Sequence, residues 1–328
     1  MMISDFRYSV AIRTLGKGGE KYVEELKSIT RQTIQPEKVV VYIAKGYKLP
    51  DFRIGAEEYI YVKKGMVEQR ALDYTEIDSP YILLLDDDVY LPDNAVEILA
   101  KELTEGKGDV IAADTFHPQN NNWKEVAYDW LTSMFYPHFG DKWAFKVLRN
   151  ASCSYHGNPR KRYYLSQTAA GPASLWKKST MLSIHYKDEL WLDEMGFAWG
   201  DDQLMFNKVF RNGHKLLVSY DSGIIHLDAK SASSQKDSST DRWYKRAMSQ
   251  YLVWYRSCYN LSSNSRRERL LCKFSFGCKA LQGFVTHTSL ACLTLHIGVI
   301  GAYLRGLEDG RKYAHKNLDN IPNFVLHS

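Results

Sequence analysis

The sequence predicts an α/β protein: a mostly parallel, Rossmann-like central sheet flanked by helices, followed by a C-terminal helical appendage. Three observations predict it. Short apolar or β-branched runs alternate with amphipathic segments of helix length through the first 115 residues. One run, Tyr81–Leu85 (YILLL), is apolar throughout, as a strand covered on both faces must be. From Asp241 onward the strand-like pattern gives way to helical periodicity.

Taken in order, Tyr8–Arg13 (YSVAIR) reads as a strand and Glu20–Gln32 as an amphipathic helix. Lys38–Ile43 (KVVVYI) and Tyr59–Val62 are further strands, and Val67–Ile77 has helical periodicity. After the Tyr81–Leu85 strand, Leu91-Pro92-Asp93-Asn94 opens a helix, with proline and acids in the first turn. Val110–Ala113 is another strand. Residues 116–170, rich in aromatics, Asn and Pro, read as loops and short elements over a site. A compact pattern resumes over 171–228, with a helix near 201–212 and strands near 215–219 and 223–227. The organisation expected is a catalytic unit over 1–235 and a basic helical region over 236–328.

The composition is that of an ordered chain, 45% hydrophobic and 25% charged, with five cysteines in no metal-binding spacing. The odd cysteine count suits a reducing compartment and Met1–Asp5 lacks the basic and apolar regions of a signal peptide, so the expectation is a cytoplasmic protein. From Arg242 to Lys279 there are nine Lys/Arg and one acid, Glu268, a local charge of +8 in a chain of net +5. The 280–304 run then holds no Asp, Glu, Lys or Arg, but carries Gln282, Thr286, His287, Thr288, Ser289, Thr294 and His296. Those polar residues favour an interfacial helical hairpin over a bilayer span, with a soluble helical appendage or an interface between copies as the remaining reading. The expected partner of the 242–304 region is thus an anionic membrane surface, at the inner face of the plasma membrane, rather than nucleic acid.

The strongest chemical signal is Asp86-Asp87-Asp88, at the carboxyl end of the most apolar strand. Parallel sheets bind ligands at that edge. Helix capping would need one acid; three in succession repel one another unless a cation is shared. Mg²⁺ and Mn²⁺ take oxygen ligands and share them with substrate phosphates, so a divalent metal is the expected cofactor. A second acidic pair, Asp201-Asp202 after Gly200, opens the helix some 110 residues downstream. Such a pair caps a helix, or supplies a general base.

The segment Tyr81–Asp93 (YILLLDDDVYLPD) resembles the D-x-D region of family-2 glycosyltransferases with the GT-A fold. Val10–Lys38, with Gln32-Thr33 and Pro36-Glu37, and Lys64–Ala71 (KGMVEQRA) resemble that family's opening and nucleotide-facing segments. The resemblance covers about residues 7–230. It implies a GT-A-like fold and an inverting, metal-dependent transferase. The donor would be a nucleotide sugar, a UDP-sugar first among them, and the acceptor a glycan or lipid-linked hydroxyl in cell-surface polysaccharide synthesis. It further implies Asp88, Asp86 and His226 at the metal, with Asp86, Asp87, Thr14 and Arg70 about the nucleotide. Asp202 would be the base with Asp201 beside it, and Trp199 and Gly171 would face the sugar or acceptor. Lys230–Thr240 would form a lid.

One departure matters. Where the family often has Asp-Asp-Gly-Ser, the first acid reading the base, this chain has Ala44-Lys45-Gly46-Tyr47, which puts uracil recognition in doubt. Two rival chemistries share part of the pattern. A nucleotidyltransferase acting on sugar phosphates uses the same metal and nucleotide. A haloacid-dehalogenase-like phosphatase would use Asp86 and Asp88 as nucleophile and acid, but leaves Asp201-Asp202 without a task.

Overall fold

The computed structural model of the chain describes residues 5–115, 135–137, 140–195, 199–227 and 238–326. Its first half supplies β1 (Tyr8–Thr14), α1 (Glu20–Thr30), β2 (Val39–Ala44), β3 (Glu57–Val62), β4 (Tyr81–Asp86), β5 (Val89–Tyr90), α2 (Ala95–Glu105) and β6 (Val110–Ala113). Then follow β7 (Phe135–Pro137), β8 (Phe145–Val147), β9 (Cys153–Tyr155), β10 (Tyr163–Leu165), β11 (Ala173–Lys177), and two short helices, α3 (Lys178–Ser183) and α4 (Trp191–Glu194). The helix α5 (Asp201–Arg211), β12 (Leu216–Ser219) and β13 (Ile225–His226) complete the sheet-bearing part. The C-terminal part is α6 (Ser239–Trp254), a π-turn at Tyr255–Tyr259, α7 (Arg266–Thr294) and α8 (Gly298–Asn317).

Eight strands form the central sheet in the order β10-β12-β6-β11-β4-β1-β2-β3. All are parallel except β11, which runs antiparallel between β4 and β6, and the edge strand β10. Every residue of β1 and β2 is buried, because helices cover both faces. On one face Val10, Ile12, Leu83 and Leu85 pack with Tyr22 and Leu26 of α1 and Leu99 and Leu103 of α2. On the other, Ala11, Val40, Leu84 and Trp176 pack with Leu204 and Phe206 of α5 and with Trp254, Phe276 and Phe324 from the C-terminal part. The C-terminal helices therefore complete the sheet's second layer and share its core.

The reversed direction of β11 positions the site. Its first residues lie at the carboxyl ends of the parallel strands, where Asp86 N–H donates to Pro172 O at 2.9 Å. Pairing of β5 with β13 sets His226 opposite Val89, beside the triplet.

Two expectations need correction. Residues 67–77 do not form a helix: one turn, closed by Ala71 N–H to Val67 O at 2.7 Å, is followed by Tyr74 in the left-handed region (φ 48). A non-glycine residue held there cannot continue a helix, and the apolar periodicity instead reflects Val67, Ala71, Tyr74 and Ile77 packing into the core beneath the sheet. The basic stretch is not one solvent-facing patch either. Arg246, Arg256 and Lys279 are buried, Lys279 donating to Asn150 O at 3.3 Å. No helix among the described residues is long and apolar enough to cross a membrane. The 280–304 run is instead the end of α7, a turn, and the start of α8.

Candidate functional site

Arg13 and Asp86 are register partners on the adjacent parallel strands β1 and β4, which places their side chains on one face. Arg13 donates from Nε to Asp86 Oδ1 at 2.5 Å and from Nη2 to Asp86 Oδ2 at 2.9 Å. Burial works to raise Asp86, but the guanidiniums of Arg13 and Arg70 overcome it and hold the carboxyl below its usual range. Next along, Thr14 Oγ1 donates to Asp87 Oδ2 at 2.5 Å. Burial pushes Asp87 up to about 6, helped by Asp86 and Asp88 and opposed by the Thr14 bond. A Cβ on Gly18 would sit 2.7 Å from Asp87 O, so the glycine-rich turn after β1 wraps the triplet closely.

Asp88 faces another way. His226 Nε2 lies 3.1 Å from its Oδ1, and Leu227 N–H donates to Asp88 O at 2.8 Å. Lys21 donates to Leu227 O from α1, tying that strand end down. Beneath the triplet, Glu25 is fully buried and held well above the carboxylate range by burial and by Asp87.

Arg70 connects the two acidic groups. Its side chain is fully buried, with Nη1 donating to Asp201 Oδ2 at 2.6 Å and to Asp202 Oδ1, and Nη2 3.5 Å from Asp86 Oδ1. Burial and the adjacent Asp202 push Asp201 up to about 7, against the pull of Arg70. Asp202 also accepts from Gly171 N–H at 3.1 Å, and a Cβ on Gly171 would fall 2.1 Å from its carboxylate. Tyr186 O–H donates to Asp201 O at 2.9 Å, anchoring the start of α5.

The Arg70 loop is itself held from α4. The Asp193 carboxylate accepts from the N–H groups of Met66 (2.7 Å), Val67 (3.1 Å) and Glu68 (2.8 Å), as an acid does at the start of a helical turn. Gln69 Nε2 donates to Thr14 O and Tyr42 O, both at 3.1 Å.

The structure thus gathers Thr14, Arg70, Gly171 and the acids 86–88, 201 and 202 at one sheet edge, with His226 on Asp88. Trp199 stands one residue before Gly200, 44% exposed, with the Arg246 guanidinium 4.9 Å from its ring centre. Where the resembled family reads the base with an acid, this chain has Tyr47, its O–H accepting from Lys64 Nζ at 2.8 Å and Lys17 5.2 Å from its ring. The expected lid, Lys230–Thr240, lies outside the described residues up to position 237. Arg13, Gly18, Lys21, Glu25 and Asp193 escaped the sequence reading. Of these only Gly18 left a signal, in the Gly16-x-Gly18-Gly19 turn; the others act through partners between 62 and 206 positions away.

No cluster of three or more candidate metal ligands occurs among the described residues. Asp88 with His226 is a hard carboxylate beside an imidazole, a donor pair that suits Mn²⁺ or Mg²⁺ when phosphates and water complete the sphere. Asp86, the other acid expected at the metal, is engaged by the guanidiniums of Arg13 and Arg70.

No family model matches the sequence. No curated protein matches it either. Solved structures do resemble the fold. The crystal structure of TarS from S. aureus matches over 98% of this chain and 51% of that chain, with a TM-score of 0.53 and 12% identity. The present chain spans about half the length of that protein. The mannosyltransferase PcManGT from Pyrobaculum calidifontis, in complex with GDP-Man and Mn²⁺, matches over 96% of this chain and 83% of that chain, with a TM-score of 0.50 and 11% identity. These likenesses show that the chain has the GT-A type of glycosyltransferase fold.

Proposed function

We propose that the chain is a nucleotide-sugar-dependent glycosyltransferase that moves a sugar, with inversion, onto a hydroxyl of a glycan or lipid-linked acceptor. One observation carries the reading: Arg70 touches Asp86 of the triplet and both Asp201 and Asp202, so the two acidic groups share one site at the strand ends. A triplet used for capping, or a phosphatase pair alone, gives no reason for that juncture.

Asp88 and His226 would hold a divalent cation, which when bound neutralises charge on a leaving diphosphate. Thr14 and Gly18 fix Asp87 against the loop after β1. Arg13 keeps Asp86 ionised and turned inward. Asp202, held by Arg70 and the Gly171 amide, would accept the proton of the acceptor hydroxyl as its oxygen attacks the anomeric carbon. Asp201, whose carboxyl burial holds above the usual range, anchors the start of α5 through its backbone carbonyl. Trp199, 44% exposed, would meet a sugar ring. Cell-surface polysaccharide synthesis at the inner face of the plasma membrane belongs to the same reading.

The test is release of nucleoside diphosphate from a panel of nucleotide sugars with Mn²⁺, with and without acceptor extracts. Asp88→Ala should abolish metal-stimulated release, and Asp202→Asn should lower turnover by about 10²–10⁴-fold. Release of pyrophosphate from a nucleoside triphosphate would replace this reading with a nucleotidyltransferase. Phosphate release from simple monoesters would replace it with a phosphatase.

A further inference from the structure

The arm formed by α7 and the start of α8 has two unlike faces. Cys272, Phe276, Lys279, Gly283, His287 and Ala291 are buried, three or four residues apart, and Gly283 admits the ring of Tyr303 from α8. On the far side Leu270, Phe274, Leu281 and Val285 are 55–72% exposed. At the helical turn angle these four fall within an arc of about 60°. They recur every eleven residues, Leu270 to Leu281 and Phe274 to Val285, close to the period of a straight helix. A left-handed coiled coil with another helix needs a seven-residue repeat. Seven residues on from Leu270 stands Gly277, and from Leu281, Thr288. The apolar line suits a flat surface.

The end of the arm points to the same surface. α7 stops at Leu295 in the left-handed backbone region (φ 58), and Leu293, Leu295 and Ile297 at the turn are 82%, 86% and 71% exposed. No Asp or Glu occurs from 269 to 307, while Arg266, Arg267 and Lys273 are exposed at the other end of the stripe. A straight apolar line, an apolar tip and exposed cations, with Glu268 the lone acid among them and paired to Arg149, match an anionic lipid interface.

We propose that α7 lies along an anionic phospholipid surface, with Leu293, Leu295 and Ile297 inserted at the acyl boundary and Arg266, Arg267 and Lys273 on headgroup phosphates. This deepens the peripheral placement given above and rests on it, but not on the transfer chemistry. It assigns the contact to one helix face and a hairpin tip. The buried Arg246, Arg256 and Lys279 take no part.

The full chain should co-sediment with vesicles of phosphatidylglycerol and phosphatidylcholine, and about tenfold less with phosphatidylcholine alone or at raised salt. Phe274→Glu, and Leu293→Glu with Ile297→Glu, should each weaken that binding about tenfold while leaving the unfolding temperature and diphosphate release in solution unchanged. Equal partition of the wild-type chain and the tip variant would overturn the proposal. So would a lipid-free dimer that Phe274→Glu makes monomeric, since the face would then be an interface between copies. Vesicle binding without donor turnover would leave this inference standing and remove the transferase reading; turnover without vesicle binding would do the reverse.

Discussion

Gly171 contributes by the side chain it lacks. Its amide donates to Asp202, and the space for a Cβ is taken by that carboxylate. Gly171→Ala should therefore displace the Asp202 carboxylate, the proposed base, without disturbing the core. We expect turnover of the donor–acceptor pair to fall about 100-fold, with the unfolding temperature little changed. Steady-state kinetics beside calorimetry will separate the two effects. Glu102, fully buried on α2, offers a different residue-level test. Burial pushes its carboxyl up to about 7, with Asp221 adding and Ser219 opposing. An unfolded glutamate titrates near ~4.3, so the folded form holds its proton more tightly and the stabilisation is complete below that value. It drains away as pH rises through about 7. Glu102→Gln should remove this dependence and leave the protein more stable than wild type at pH ~8 by roughly 2–4 kcal/mol. Urea unfolding across pH reads it directly; a variant with the same pH slope as wild type would contradict it.

Among elements, the turn over 64–71 matters most. Four of its features converge on presenting Arg70: the Asp193 carboxylate on three amides, Gly65 with a would-be Cβ 2.2 Å from Asp193, Gln69 pinned between β1 and β2, and Tyr74 O–H donating to Arg70 O at 2.9 Å. Asp193→Ala leaves those amides without their acceptor. It should cost about 2 kcal/mol of stability and loosen the guanidinium from both acidic groups. The check is a double comparison, in which turnover falls in Asp193→Ala and is partly recovered by Asp193→Asn. A strand direction has as much consequence as the turn. Were β11 parallel to its neighbours, Gly171 would lie at the opposite sheet edge from Asp202.

For the whole molecule, the decisive feature is that the C-terminal helices complete the sheet's second layer. Glu189, fully buried, accepts from Arg256 Nη2 at 2.8 Å, Lys208 Nζ at 3.1 Å and Trp191 Nε1 at 2.8 Å, joining α5, the segment before α4 and the C-terminal part. Removing one member leaves charge in the interior, so Arg256→Met should destabilise by about 3–5 kcal/mol in denaturant titration. Arg311→Met, at the exposed Arg311–Glu308 pair, should change nothing measurable. Removal of residues 238–326 would bare the face holding Trp176 and Phe206, stacked at 5.4 Å, and the truncated chain should aggregate.

The local record of the chain sufficed for the alternating strands and helices, the acid triplet at the end of β4 and the pair at the start of α5. Each is written in residues adjacent in sequence, where period and composition act directly. The Arg13–Asp86 pairing, the Arg70 bridge, the Asp193 cap and the reversal of β11 had no such record, because each depends on groups far apart in sequence meeting only when the sheet is assembled. The 67–77 segment shows the boundary between the two. Its apolar spacing was legible, but spacing cannot tell a helix from a capped turn whose side chains point the same way into a core. Tertiary packing decided that, and with it where the guanidinium linking the two acidic groups would lie.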